Sequence, residues 1–324
     1  MIRQQTVACF AFALLLPVLS GCMSSPAPDN NGGGTGTIVF GESVDEVALA
    51  TLGSNVSSVA FQGTNPSWTS SGKIVYELWG SYNTDGKEHI MLANPDGTGR
   101  QVLVNMQEYN SSIYANPHMS HDGKYVSFNY HDDVYYKLGP TLGTVIYDAT
   151  TGAQVVALDN TWDGSWAPDG SIVVSGTVFT LDTHSALTIK YEGLFRYAIG
   201  ATVLQQIGAP GQLTKPWYPS VSPDGSKVAF SMNNHIWTIN MDGTGLKQIT
   251  TGPNEETFST WSPDGASIAC VSAGDIGLTS GNALGIVPSN PAAPTTVSQS
   301  ASVWVKDNDN TVGLLNPIGS VSWK

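Results

Sequence analysis

The sequence predicts an all-β chain folded as a six-bladed β-propeller of four-stranded blades, closed by pairing of its N- and C-terminal strands. Three observations carry the prediction: a phrase of the type Trp-Ser-Pro-Asp-Gly recurs along the chain, a phrase of the type Asp-Gly-Thr-Gly follows it, and the last residues copy the opening of the first phrase and then stop. Self-similar units that cannot each bury their own apolar face mark a repeat architecture. Composition agrees, because 35 Gly among 324 residues, with 12% charged and 9% aromatic residues, suits strands joined by tight turns.

The first segment precedes the repeats. Arg3 gives a short positive start, and residues 7–19 are apolar but too few to span a bilayer. Residues 1–21 therefore read as a signal peptide. Leu19-Ser20-Gly21-Cys22 resembles the bacterial lipoprotein signal, which implies lipid on Cys22 and anchoring in the cell envelope. By the sorting rule of Gram-negative lipoproteins, Met23 after the cysteine directs the chain to the outer membrane, facing the periplasm or the cell surface. Residues 22–36, rich in Ser, Pro, Asn and Gly, form a tether. The propeller is then expected over 37–324. With Cys9 in the signal and Cys22 lipidated, Cys270 alone remains, so no disulfide forms within one chain. Loss of Arg3 with the signal moves the formal charge from -13 to -14, which argues against nucleic acid or anionic lipid as partner.

The first phrase appears as Pro66-Ser67-Trp68-Thr69-Ser70-Ser71-Gly72, Pro117-His118-Met119-Ser120-His121-Asp122-Gly123, Gly164-Ser165-Trp166-Ala167-Pro168-Asp169-Gly170, Pro219-Ser220-Val221-Ser222-Pro223-Asp224-Gly225 and Ser259-Thr260-Trp261-Ser262-Pro263-Asp264-Gly265. Each is followed by a short apolar run, and the physics is that of a hairpin. Pro presets φ, Asp bonds nearby backbone and Gly accepts positive φ. Asp122, Asp169, Asp224 and Asp264 are accordingly assigned to turns, not to paired-carboxylate catalysis. The second phrase, clearest as Asp96-Gly97-Thr98-Gly99 and Asp242-Gly243-Thr244-Gly245, joins two further strands. Two phrases make four strands, which is one blade.

Together these phrases resemble the propeller repeats of TolB, the periplasmic component of the Tol-Pal envelope system, and of related propeller lipoproteins. The resemblance covers nearly everything after the tether and implies a propeller that binds a peptide segment on one funnel-shaped face. TolB carries an α/β domain ahead of its propeller, for which this chain has no room.

The repeat anchors Trp68, Met119, Trp166, Val221 and Trp261 are spaced by 51, 47, 55 and 40 residues, giving five units. The sixth is split. Ser320-Val321-Ser322-Trp323 supplies its inner strand, and Thr37-Ile38-Val39-Phe40 with residues 47–52 supplies the later ones. A blade shared between the termini removes exposed sheet edges. The irregular stretch 283–317 has room for a further hairpin, which leaves seven blades as the alternative count.

Chemistry is sparse. No Gly-x-Ser-x-Gly elbow occurs. His118, His121, Asp122, His131, Asp132 and Asp133 are the densest set of metal-ligating types, but the repeat places them at different heights of one blade, so no metal and no cofactor is assigned. Asp307-Asn308-Asp309-Asn310 lacks the glycine and glutamate of a calcium loop. The residues just ahead of each anchor should rim the central channel: Asn65, Asn116, His118, Trp162, Asp163, Trp217, Tyr218, Glu255 and Glu256. Aromatics, amides and carboxylates there suit a peptide segment or a glycan. The function expected is thus non-catalytic partner binding by an envelope lipoprotein. The alternatives are a glycan- or peptidoglycan-binding propeller, with Trp162 and Trp217 stacking on sugar rings, and a metal-dependent polyuronate lyase or hydrolase centred on His118.

Overall fold

The computed structural model describes residues 36–43, 46–52, 56–79, 87–105, 116–132, 141–181, 187–275, 280–297, 304–306, 312–314 and 318–324. The signal peptide, Cys22, the tether up to residue 35, Asp133 and the 307–310 turn lie outside them.

The described residues form a ring of six antiparallel blades. The first blade comprises β4 (Thr64–Trp68), β5 (Ile74–Leu78), β6 (His89–Ala93) and β7 (Gln101–Asn105). The second runs from β8 (His118–Met119) through β9 (Tyr125–Asp132) and β10 (Thr141–Asp148) to β11 (Gln154–Asp159). The third contains β12 (Thr161–Trp166), β13 (Ile172–Leu181), β14 (Leu187–Tyr197) and β15 (Gln205–Ile207), and the fourth β16 (Trp217–Val221), β17 (Lys227–Met232), β18 (His235–Asn240) and β19 (Lys247–Gln248). The fifth has β21 (Glu255–Trp261), β22 (Ser267–Asp275) and β23 (Ser280–Pro288). Beyond β23 the chain turns back, and β24 (Thr295–Thr296) pairs in parallel with β20 (Thr250–Thr251).

The sixth blade closes the ring. C-terminal β27 (Ile318–Trp323) is its inner strand and pairs with β1 (Thr37–Ser43), in the register Ile38↔Trp323 and Phe40↔Val321. β2 (Glu46–Thr51) and β3 (Val56–Gln62) follow outward. The stretch that left the count open holds a hairpin, β25 (Trp304–Lys306) and β26 (Val312–Leu314), which extends the outer edge of this closing blade at Lys306↔Val56 rather than starting a seventh.

Each apolar cluster sits between two neighbouring blades. In the third blade Ile172 and Val174, with Trp166 of the same blade, pack toward the second blade, on Ile146 and Leu158, whereas Val173 packs toward the fourth, on Val228 and Phe230. That is the period of two of a strand buried on both faces, and it explains why these strands read as unbroken apolar runs. Six such clusters join six pairs of blades, including the closing pair built on Ile38, Phe40, Val321 and Trp323. A fully buried Ile, Val or Phe contributes about 1.5–3 kcal/mol, so the interfaces hold the ring.

The turns between inner and second strands follow one plan. The amides of Gly123, Gly170, Gly225 and Gly265 donate to the carbonyls of Ser120, Ala167, Ser222 and Ser262 at 2.8–3.0 Å, and these glycines have φ between 71° and 83°. Oδ1 of Asp122, Asp169, Asp224 and Asp264 accepts the amide of the residue two positions on, at 3.0 Å in each turn. All but Asp169 also accept from a serine hydroxyl two residues back at 2.6 Å, and Asp169 accepts from Ser171. These bonds favour the ionised carboxylate and hold all four below the usual range, Asp224 at about 2.

Candidate functional site

The inner strands β4, β8, β12, β16, β21 and β27 run alongside the propeller axis, each ending at the face that carries the Pro-Asp-Gly turns. Three residues before its anchor, each of the first five has a residue in left-handed conformation: Asn65 (φ 48°), Asn116 (39°), Asp163 (55°), Tyr218 (52°) and Phe258 (50°). At four of these places the register with the second strand is interrupted. A bulge of this kind re-aims a side chain, and a non-glycine residue held at positive φ costs about 1–3 kcal/mol that neighbouring structure must offset. Asn and Asp tolerate this conformation, so three of the five were legible in the sequence. Phe258 was missed: no Asn, Gly or Pro marks it, and counting three residues back from Trp261 is the signal that finds it.

One step before the anchors stands a ring of polar side chains, Ser67, His118, Ser165, Ser220, Thr260 and Ser322, which lines the axial cavity. Two of its hydroxyls staple consecutive blades: Ser165 Oγ accepts the amide of Val221 at 3.0 Å and Ser322 Oγ that of Trp68 at 3.1 Å. Ser67 Oγ lies 3.0 Å from His118 Nδ1. The anchor indoles cross the same seams, with Trp166 Nε1 donating to the carbonyl of His118 at 3.1 Å and Trp261 Nε1 to that of Ser220 at 2.9 Å. Burial pushes the His118 imidazole down to about 4, so it is neutral at ordinary pH.

The cavity measures about 310 Å³ and takes walls from all six inner strands. Asp163 is its buried carboxylate, 6% exposed. Its Oδ1 accepts from Asn129 Nδ2 at 2.9 Å and Asn116 Nδ2 at 3.3 Å, and its own amide donates to Asn129 Oδ1 at 2.8 Å. The Tyr218 backbone also donates to it, so Asp163 ties three consecutive blades. Desolvation outweighs these bonds and raises its carboxyl to about 6.

A chain of aromatic rings runs into this wall. Trp162 and Trp217 have centroids 4.9 Å apart, Trp217 and Tyr218 6.3 Å, and Tyr218 and Phe258 3.9 Å. Trp217 is 39% exposed, while Tyr218 and Phe258 line the cavity, so the rings lead from the outer face to the axis across three blades.

Not all the rim residues converge. Asn65 donates to Glu77 Oε2 at 3.2 Å at the seam of the first two strands. Glu255 is exposed at the start of β21. Glu256 is fully buried away from the channel: its Oε2 lies 2.7 Å from His235 Nδ1 and accepts from Thr250 Oγ1 at 3.0 Å, closing a polar network between the fourth and fifth blades. Its sequence neighbour Glu255 points to the opposite side of the strand, and that alternation separates the two. His121 stands exposed in a turn, and the side chains of His131 and Asp132 are not described. Among the described residues no three His, Cys, Asp or Glu side chains converge as a metal site.

No protein-family model and no curated protein matches the chain. Solved structures do. TolB from Acinetobacter baumannii aligns at a TM-score of 0.61 with 14% identity, covering 89% of this chain and 66% of that one. Putative TolB from Agrobacterium tumefaciens aligns at 0.52 with 14% identity, over 90% and 98%. A chain of the nidogen/laminin complex aligns at 0.55 with 9% identity, over 89% and 98%. At such identities the likeness is one of architecture, and in architecture the chain is a TolB-like six-bladed β-propeller.

Proposed function

We propose that the chain is a non-catalytic envelope lipoprotein, anchored through Cys22, whose propeller receives a segment of another envelope protein in the aromatic funnel. The observation that carries the reading is the run of rings from exposed Trp217 through Tyr218 to Phe258 at the axial cavity. Large rings at a wet, concave entrance are what protein interfaces use as anchors, because they bury much area at small entropic cost. A TolB-like fold and a propeller likeness within a nidogen/laminin complex are in keeping with this use.

Photo-crosslinking in whole cells tests the proposal. A photoreactive phenylalanine analogue in place of Trp217 should give a discrete adduct with one envelope protein, whereas the same analogue at Val155, on an outer strand, should not. Adducts of equal pattern from both positions would overturn it. The exposed Trp217 ring beside Trp162 also fits a sugar ring, and retention of the chain on purified cell-wall fragments, lost in Trp217→Ala, would favour the glycan reading.

A further inference from the structure

We infer that the axial cavity is a receptor for a cationic side chain, a guanidinium or an ammonium, presented by the segment that enters the funnel. The inference rests on the partner-binding reading above and supplies the chemistry of what enters.

Its basis is the unneutralised carboxylate of Asp163. The group is buried in the cavity wall and takes its hydrogen bonds from neutral donors alone, the amides of Asn129 and Asn116 and the Tyr218 backbone. Among the described residues no cationic side chain bonds to it. A charge taken out of water without a counter-ion is costly, and perturbed ionisable groups in clefts cluster at functional sites.

The rest of the wall suits a cation. Tyr218 and Phe258, with ring centroids 3.9 Å apart, both line the cavity, and cations are attracted to aromatic faces within about 6 Å. Ser220, Thr260 and Ser322 add hydroxyl oxygens. His118 is neutral and does not oppose a positive charge. Lys324 is the one lysine in the wall, and its Nζ is already held by the carbonyls of Thr69 and Ser70 at 3.1 and 3.0 Å, at the turn end. The formal charge of -13 steers cationic segments toward the protein from a distance. An apolar side chain would leave Asp163 unpaired, and an acidic one would be repelled.

The test uses the full chain in detergent and three acetylated, amidated tripeptides, Gly-Arg-Gly, Gly-Lys-Gly and Gly-citrulline-Gly, titrated while the tryptophan indole resonances are followed by NMR. Citrulline keeps the shape of arginine and removes its charge. A cationic peptide should shift the indole resonances saturably, with the citrulline peptide at least about tenfold weaker, and Asp163→Asn should abolish that difference. The stronger of the arginine and lysine peptides identifies the cation. Citrulline binding as tightly as arginine, or no saturable shift with either cation, overturns the inference on the unaltered chain, whatever Asp163→Asn does to folding. A partner crosslinked at position 217 that keeps its affinity when its Lys and Arg residues are neutralised would overturn this inference while leaving partner binding intact.

Discussion

Asp163 and His118 pull the pH dependence of stability in opposite directions, each by an amount on the order of a few kcal/mol. The Asp163 carboxyl moves from 3.8 to about 6 on folding, so between these values the folded state holds a proton that the unfolded chain has released. Its contribution is full below pH 3.8 and lost as pH rises through 6. At 1.36 kcal/mol per unit the loss is about 3 kcal/mol. His118 moves from 6.5 to about 4, so the unfolded chain holds the extra proton and stability rises over nearly the same range, again by about 3 kcal/mol. Relative to its other carboxylates, the wild-type chain should therefore change little between pH 4 and 6.5. Asp163→Asn leaves the histidine unopposed, and its unfolding free energy should climb across that window by about 3 kcal/mol relative to wild type. His118→Ser, which restores the hydroxyl found at this ring position in the other blades, should fall by a similar amount. Urea unfolding at half-unit pH steps, with the free energy extrapolated to water, measures all three. Curves for Asp163→Asn and wild type that run parallel from pH 4 to 6.5 would refute the account, whatever their vertical offset.

Other expectations concern the ring and its seams. Trp323→Ala empties the closing interface around Ile38, Phe40 and Val321 and should cost about 3–5 kcal/mol, with deletion of 320–324 lowering the melting temperature by several degrees or more; an unchanged calorimetric transition would sink the latch. Glu256→Ala deprives His235 and Thr250 of their shared acceptor in a fully buried site and should cost about 3 kcal/mol in urea unfolding, more than Glu255→Ala beside it. Gly170→Val puts a β-branched residue at φ 83° and should lower stability by about 1–2 kcal/mol, whereas Ser171→Ala, which keeps the backbone, should cost less. Trp217→Ala removes a partly exposed ring and should leave the melting curve within about a degree or two; a fall of several degrees would assign the ring to the fold rather than to a contact surface.

The architecture was readable because four blades write an Asp-Gly turn of one plan and a fifth a close variant of it. Pro-Asp-Gly with its preceding serine fixes a hairpin by local hydrogen bonds alone, and those signals do not depend on what packs nearby. The closing blade was readable for the same reason, as Ser322-Trp323 copies an inner strand. What escaped was set by packing across blades. The fate of the 304–314 hairpin depends on an edge offered by β3, some 250 residues earlier in the chain. Glu256 looked like a rim residue from its place before Trp261, yet strand alternation turned it inward to His235. Asp163 lines the axial cavity, but its partners Asn129 and Tyr218 belong to neighbouring blades, and nothing local signals a carboxylate without a counter-ion.

The closing blade also decides how the protein answers to force. β1 lies between β27 and β2, and its first residues sit at the turn face, where the amide of Thr37 donates to the Lys324 carbonyl at 2.6 Å. A pull on the chain ahead of Gly36 therefore runs along the length of β1. The ladders on both sides of that strand lie across the pull and are loaded together in shear, instead of parting one bond after another. The same geometry sets direction: tension reaches the molecule on the Pro-Asp-Gly face, and the mouth marked by Trp162 and Trp217 points the other way. A propeller hauled on from its N-terminal side would keep its ring shut and hold its aromatic entrance outward.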